Sequence, residues 1–319
     1  MSTPPRRHVS LTFRKVALLA HRYVGLAMTV FLVIAGLTGT ILAFYRELDA
    51  ALAPELFQAT LPAQGKRLDP VTLRERALAR IPAGATIPIV PFDTPPGEAV
   101  GLWVALPQAL NAAGQDNEYF FDPYSGELNG TRHWGTLSQG KKGVIPFIYL
   151  LHTSLALEHV GEVLLGIVAL LWTMDCFVGV YLTLPISAPQ RAPGNPKVWL
   201  FRWWPAWLIR ATKLFSFIFT WHRASGLWLW AMLLVFSWSS VSLNLHEVYD
   251  PVMSALYGGR EYELPKRSAP LPSPALSFRQ AHAQARRLMA QDTASRGIDV
   301  YSERMLRYLP KVGLYEYRV

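Results

Sequence analysis

Only one cysteine, Cys176, occurs in the 319 residues, and it sits inside an apolar run. That excludes a disulfide framework within the chain and any iron–sulfur or zinc-thiolate centre, each of which needs several thiolates. Acidic residues are missing from two stretches. Between Met1 and Arg22 the charges are Arg6, Arg7, Arg14, Lys15 and Arg22; between Ile186 and Lys213 they are Arg191, Lys197, Arg202, Arg210 and Lys213. No glycine-rich dinucleotide fingerprint is present, and these basic stretches are too short to form a nicotinamide or flavin domain. Nor is there a basic stripe on a soluble domain, so the net charge of +9 does not point to nucleic acid.

Apolar residues, by contrast, make up 51% of the chain and the mean hydropathy is positive. They gather in three blocks, 16–45, 144–186 and 214–245. Each exceeds the ~18–20 residues that cross a bilayer, which predicts an α-helical membrane bundle. The first block has no peptidase site after a short apolar core and reads as a retained helix. By the positive-inside rule, residues 1–15 and 187–213 are cytoplasmic, and the charge balance becomes a topology and lipid-surface signal. Segment 46–143 mixes bases with acids such as Glu47, Asp49, Asp116 and Glu127, and with 246–319 it is expected on the outer side.

The chain also repeats itself. His21-Arg22-Tyr23-Val24-Gly25-Leu26 returns as His222-Arg223-Ala224-Ser225-Gly226-Leu227, and Asp49 and Asp250 follow at the same offset. An internal duplication is the simplest account. Imidazoles at the starts of two related membrane helices stand at one depth, which suits the two faces of a haem iron. Gly25 and Gly226 would leave room for a flat macrocycle or for close helix approach. Arg22 and Arg223 are placed to snorkel to the inner surface and to pair with haem propionates. The plainer alternative makes both histidines interfacial anchors or hydrogen-bond partners within the bundle.

At the outer side, His152 and His159 stand two helical turns apart, which places them on one face of a continuous helix. A second haem there needs a ligand from another helix: His246 is one candidate, an expected fourth membrane helix the other. For His159 and His246 an ordinary interfacial role stands beside ligation. Asp175, inside the second block, must be protonated, hydrogen-bonded or beside water, and a bond to a neighbouring helix is preferred over a proton relay. Ser237, Ser239, Ser240, Ser242 and Asn244 make the third block polar toward its end. Trp199, Trp203, Trp204 and Trp207 read as an interfacial belt.

Segment 46–143 has the pattern of a small α/β module. A helix is predicted over 71–80 after Asp69-Pro70, with Leu73, Ala77 and Leu78 on one side. Extended stretches follow at 86–92, 100–106 and 118–121, the last entering the turn Asp122-Pro123-Tyr124-Ser125-Gly126. The segment after the third block repeats this as a helix over 275–289 and strands at 297–301 and 313–319, then stops mid-module. This predicts two modules, the second incomplete, and a natural chain that continues through a fourth membrane helix.

The two HRxxGL openings, the Leu151-His152-Thr153-Ser154-Leu155 opening and the Phe121-Asp122-Pro123-Tyr124-Ser125-Gly126 turn together resemble the PepSY-associated transmembrane family of bacterial inner-membrane proteins. The resemblance covers nearly the whole chain. It implies four membrane helices with periplasmic PepSY-like modules and, by likeness to siderophore-reductase members, haem-bearing electron transfer. Taken with the histidines, the expectation is two haem b groups, held through His21, His222 and His152, with His159, His246, Arg22 and Arg223 as further contacts. The substrate would be a ferric siderophore, reduced to release Fe(II), with a quinol or a reductase as electron donor. Two alternatives remain: a non-enzymatic membrane protein that binds a periplasmic partner, and a quinone-linked haem b carrier with another acceptor.

Overall fold

The computed structural model describes residues 7–60, 65–185, 196–210, 213–258, 269–299 and 302–319. In chain order the elements are α1 (Arg7–Leu42), α2 (Tyr45–Leu52), α3 (Pro54–Phe57), α4 (Pro70–Ala77), β1 (Ile89–Pro91), β2 (Val100–Trp103), α5 (Gln108–Ala112), β3 (Glu118–Phe121) and β4 (Leu128–Arg132). There follow α6 (Val144–Ser154), α7 (Glu158–Thr183), α8 (Pro196–Trp203), α9 (Leu214–Trp228), α10 (Trp230–Asn244), α11 (His246–Tyr257), α12 (Phe278–Arg296), β5 (Met305–Leu309) and β6 (Leu314–Arg318). Two compact units result. A helical unit comprises 1–39 and 150–260, and an α/β unit comprises 40–149 and 261–319.

Among the described residues, two helices are long and apolar enough to cross a membrane, Phe13–Leu42 and Glu158–Thr183. A third span exists only if α9 and α10 are taken together, because they bend by 69° at Leu229. The break directly follows Ser225-Gly226, residues that weaken a helix locally. The block 144–186 is likewise two helices rather than one. Leu155, Ala156 and Glu158 all take positive φ, and the Ala156 N–H reaches back six residues to the Leu150 carbonyl instead of continuing the ladder. Helices α7 and α10 pack closely through Gly166, where an added Cβ would lie 2.4 Å from the Leu245 side chain. The C-terminal carbonyls of α7 are capped from α1: the Arg14 guanidinium donates to Leu182 and Leu184. A cation there also complements the negative end of the helix dipole.

The α/β unit holds two three-stranded antiparallel sheets, ordered β2-β3-β4 and β1-β5-β6. The second sheet draws on both stretches expected to form modules: β1 pairs with β5, with Val90 opposite Leu306. Strands from before and after the apolar helices therefore complete one sheet. Their shared core is Val71, Val90, Phe278, Ala281, Leu306 and Tyr308, so neither half of the pattern buries this face alone. Strands β4 and β5 were not anticipated. Of the stretch expected at 297–301, Gly297 is the left-handed residue that ends α12, and 300–301 lie outside the described residues. The helix expected over 71–80 ends at Ala77, and its buried face is Val71, Leu73 and Ala77, with Leu78 exposed. Local signals explain the starts: Asp69 caps α4 through the Thr72 N–H, and Ser277 with Gln280 forms a capping box on α12.

A buried charge cluster ties α2 to the first sheet. Arg132 grips Asp49 through both terminal nitrogens at 2.8 Å and donates to Glu118 at 2.6 Å and to the Lys142 carbonyl at 2.8 Å. Arg132 and Asp49 are 1% and 0% exposed. Burial raises the Glu118 pKa despite the arginine beside it. At the β3–β4 turn, the Asp122 carboxylate accepts from the backbone N–H groups of Thr60, Tyr124 and Ser125. Burial alone would push its pKa up, but these bonds outweigh it and hold the group below the usual carboxylate range.

Two outcomes are expected. Arg132→Met strands two buried carboxylates and costs about 3–5 kcal/mol, read as faster amide exchange through β3 and β4. Because Asp122 has a depressed folded pKa, its contribution is complete above ~3.9, the unfolded value, and is lost as pH falls through the folded one. Asp122→Ala should cost about 2 kcal/mol at neutral pH and flatten that acid limb of the stability profile.

Candidate haem site in the helical unit

Helix α1 carries both levels of the site. Near its start, His21 donates or accepts through Nδ1 at 2.9 Å from Oδ1 of Asp175 on α7. A carboxylate 11% exposed within an apolar helix is an acceptor here, so Nδ1 carries the proton and Nε2 is left with its lone pair. The His222 ring, from α9, lies across from it, with ring centres 6.0 Å apart and planes tilted by 46°. The duplicated histidines are thus brought together, one from each repeat, and Asp175 makes the bond to a neighbouring helix that its position required. Gly179, one turn beyond Asp175, makes the contact feasible: a Cβ there would stand 3.4 Å from Cε1 of His21.

About 25 Å further along α1, at 1.5 Å per residue, a second imidazole meets the same helix. His152 of α6 places Nδ1 2.9 Å from Oγ1 of Thr38. The Thr38 hydroxyl donates its one hydrogen to the Ile34 carbonyl at 2.6 Å, so toward His152 it accepts. His152 therefore also carries its proton on Nδ1 and presents Nε2. Gly39 clears the space, since a Cβ there would approach Cε1 of His152 to 3.1 Å. Nothing local in the chain marks Thr38, Gly39 or Gly179 beyond their being small residues on apolar helices.

The other expected residues fall elsewhere. His159 does not share a face with His152, because the left-handed residues at 155, 156 and 158 turn the chain between them. Its side chain is 86% exposed and stands 3.5 Å from Glu162. His246 is exposed at the start of α11. Arg22 is exposed and lies near the Tyr23 ring. Arg223 donates to the carbonyls of Pro205 and Ala206, so its guanidinium holds the tryptophan-rich turn rather than extending freely. That turn belongs to a chain of ring contacts, Trp199–Trp203–Trp207–Trp228, at 5.2–5.5 Å.

The donor set fits a haem at the first level. Two imidazole nitrogens each about 2 Å from one metal put ring centres roughly 6 Å apart. A carboxylate on Nδ1 of a ligand is the usual outer partner of metal-bound histidine. Gly25 and Gly226 each face open space, with nothing within 4 Å of an added Cβ, so neither packs against a described neighbouring helix. At the second level the described residues supply one oriented imidazole, His152. Among the described residues no cluster of three or more His, Cys, Asp or Glu side chains is placed to hold a metal ion.

The model of the PepSY-associated TM region matches residues 18–309, and the chain belongs to that family of membrane proteins. No curated protein matches it. The tautomer assignment is open to direct measurement. Nitrogen-15 NMR of the haem-free protein should show His152 as the Nδ1–H form, and Thr38→Val should release it toward the Nε2–H form that predominates in water.

Proposed function

We propose that this PepSY-associated membrane protein is a haem-bearing oxidoreductase of the bacterial inner membrane, N-terminus cytoplasmic, that reduces a ferric siderophore in the periplasm. The observation that carries the reading is the facing of His21 and His222, one from each repeat, with Asp175 behind the first. When bound, haem supplies one-electron chemistry that no side chain here provides.

His21 and His222 would hold haem iron at the inner level, and His152 would contribute a ligand at the outer level. Asp175 and Thr38 hold the imidazoles in the Nδ1–H tautomer and fix their direction, so the ligands are aligned before the iron is bound. The apolar walls of α1, α7 and α9 keep water away and strengthen both hydrogen bonds. Arg22, exposed and without an ion pair among the described residues, would be available to a propionate at the inner surface. Each ferric ion takes up one electron. A membrane quinol that gives two electrons and two protons serves two ferric ions, and a reductase is the other class of donor. The Fe(II) so formed is held less tightly by the hard oxygen ligands of a siderophore and is released for uptake.

The detergent-purified protein should show a Soret band and, after dithionite, the sharp α band of low-spin haem b at about two haems per chain. His21→Ala and His222→Ala should each halve the haem content and leave membrane insertion intact; full content in both would remove the ligand assignment. Added ferric siderophore should reoxidise the reduced protein. A colourless protein that takes up no haem moves the assignment to a module that binds a periplasmic partner.

A further inference from the structure

We infer that residues 196–210 form a plate lying in the lipid interface where α7 ends and α9 begins, and that this plate selects anionic phospholipid headgroups. The inference uses none of the histidines and stands apart from the haem reading.

Helix α8 has eight residues, about 12 Å at 1.5 Å per residue, so it cannot cross a bilayer, and a 3₁₀ turn over Trp204–Trp207 follows it directly. Even so, Leu200, Phe201, Trp204, Leu208 and Ile209 are exposed, Phe201 at 80%. The backbone that carries them is tied down on its other side. The Trp203 indole donates to the Thr183 hydroxyl of α7 at 3.0 Å, and the Trp228 indole donates to the Trp207 carbonyl at 3.1 Å. Arg223 holds the carbonyls of Pro205 and Ala206, and the Arg210 N–H donates to the Thr220 hydroxyl of α9 at 3.1 Å. The segment is therefore fixed to two helices while five large apolar side chains remain uncovered.

Continuity and charge say what covers them. Leu214, Phe215 and Ile218, which open α9, are exposed as well, so the plate extends an apolar surface that already belongs to a membrane protein. Between Asp175 and Glu247 the sequence contains no acidic residue, yet it contains Arg202, Arg210, Lys213 and Arg223. Arg210 and Lys213 are exposed, and Arg210 lies close enough to Arg223 for the two charges to repel. An apolar surface flanked by cations without carboxylates matches the depth at which lipid tails give way to phosphates. The apolar side chains enter the acyl boundary, and the guanidinium forks take phosphate oxygens in paired bonds. A zwitterionic lipid brings an ammonium group toward the same cations, whereas an anionic one brings only negative charge, so the plate prefers the second.

Native mass spectrometry of the full chain in detergent, titrated with phosphatidylglycerol or phosphatidylcholine, tests the preference. The first lipid should bind about tenfold more tightly, the size expected of two bases near an anionic surface. Arg210→Gln combined with Lys213→Gln should bring the ratio toward one. To locate the lipid, a fluorophore placed by Phe201→Cys in a Cys176→Ser background should be quenched by brominated phosphatidylglycerol, and more strongly than by brominated phosphatidylcholine at the same fraction. Equal affinity for the two lipids would overturn the inference, as would a preference that the double substitution leaves intact. A label at 201 that neither brominated lipid quenches would overturn the plate itself and leave that face to water or to a protein partner. If the double variant does not purify, wild type at ~0.5 M salt decides: a preference that collapses supports the inference, and one that persists overturns it.

Discussion

A polar side chain surrounded by hydrocarbon has no water to bond, and the contacts between helices in the helical unit follow from that constraint. His21 and Asp175 satisfy each other between α1 and α7; His152 and Thr38 do so between α6 and α1. Arg14 closes the end of α7, and the Trp230 indole N–H donates to the Cys176 carbonyl, joining α10 to α7. Apolar packing gains little in lipid, because the tails are as apolar as leucine. These few directional bonds, with close approaches at glycines such as Gly166, therefore select which faces meet.

The α/β unit faces the opposite solvent problem and uses the opposite solution. Its stability comes from buried apolar surface, including the cluster of Leu73, Ile87, Leu102, Tyr119 and Phe121. Among the charged groups it buries, Arg132 is surrounded by Asp49, Glu118 and a carbonyl, with the Phe57 and Phe120 rings alongside. Such a cluster adds little net energy over an apolar core, but it is costly to disturb, so it fixes where α2 lies on the sheet. Asp49 is the residue that marks the end of the first repeat, and here it has a structural task. Asp250, at the same offset in the second repeat, is part-exposed on α11. The duplication is thus conserved in its histidines and divergent in this aspartate's surroundings.

For the proposed chemistry, the two kinds of unit divide the work. The helical unit supplies oriented imidazoles, one bonded to a carboxylate and one to a hydroxyl. The α/β unit is built from two separated stretches of chain, through the pairing of β1 with β5. Family membership places the chain among PepSY-associated membrane proteins.

The sequence by itself determined the membrane class, because apolar runs of spanning length have no other stable use, and it identified His21 and His222, because a repeat puts equivalent residues at equivalent depth. It also marked the Asp122 turn and the start of α4, whose bonds run to near neighbours in the chain. Tertiary structure alone decided the rest. Whether the block 144–186 continues as one helix depends on backbone torsions at Leu155, Ala156 and Glu158 that residue types do not announce. The pairing of β1 with β5, the grip of Arg132 on Asp49 and the choice of Asp175 and Thr38 as imidazole partners all join residues far apart along the chain. Periodicity and local propensity report on neighbours within a few residues, whereas these contacts exist only once helices and strands have been set side by side.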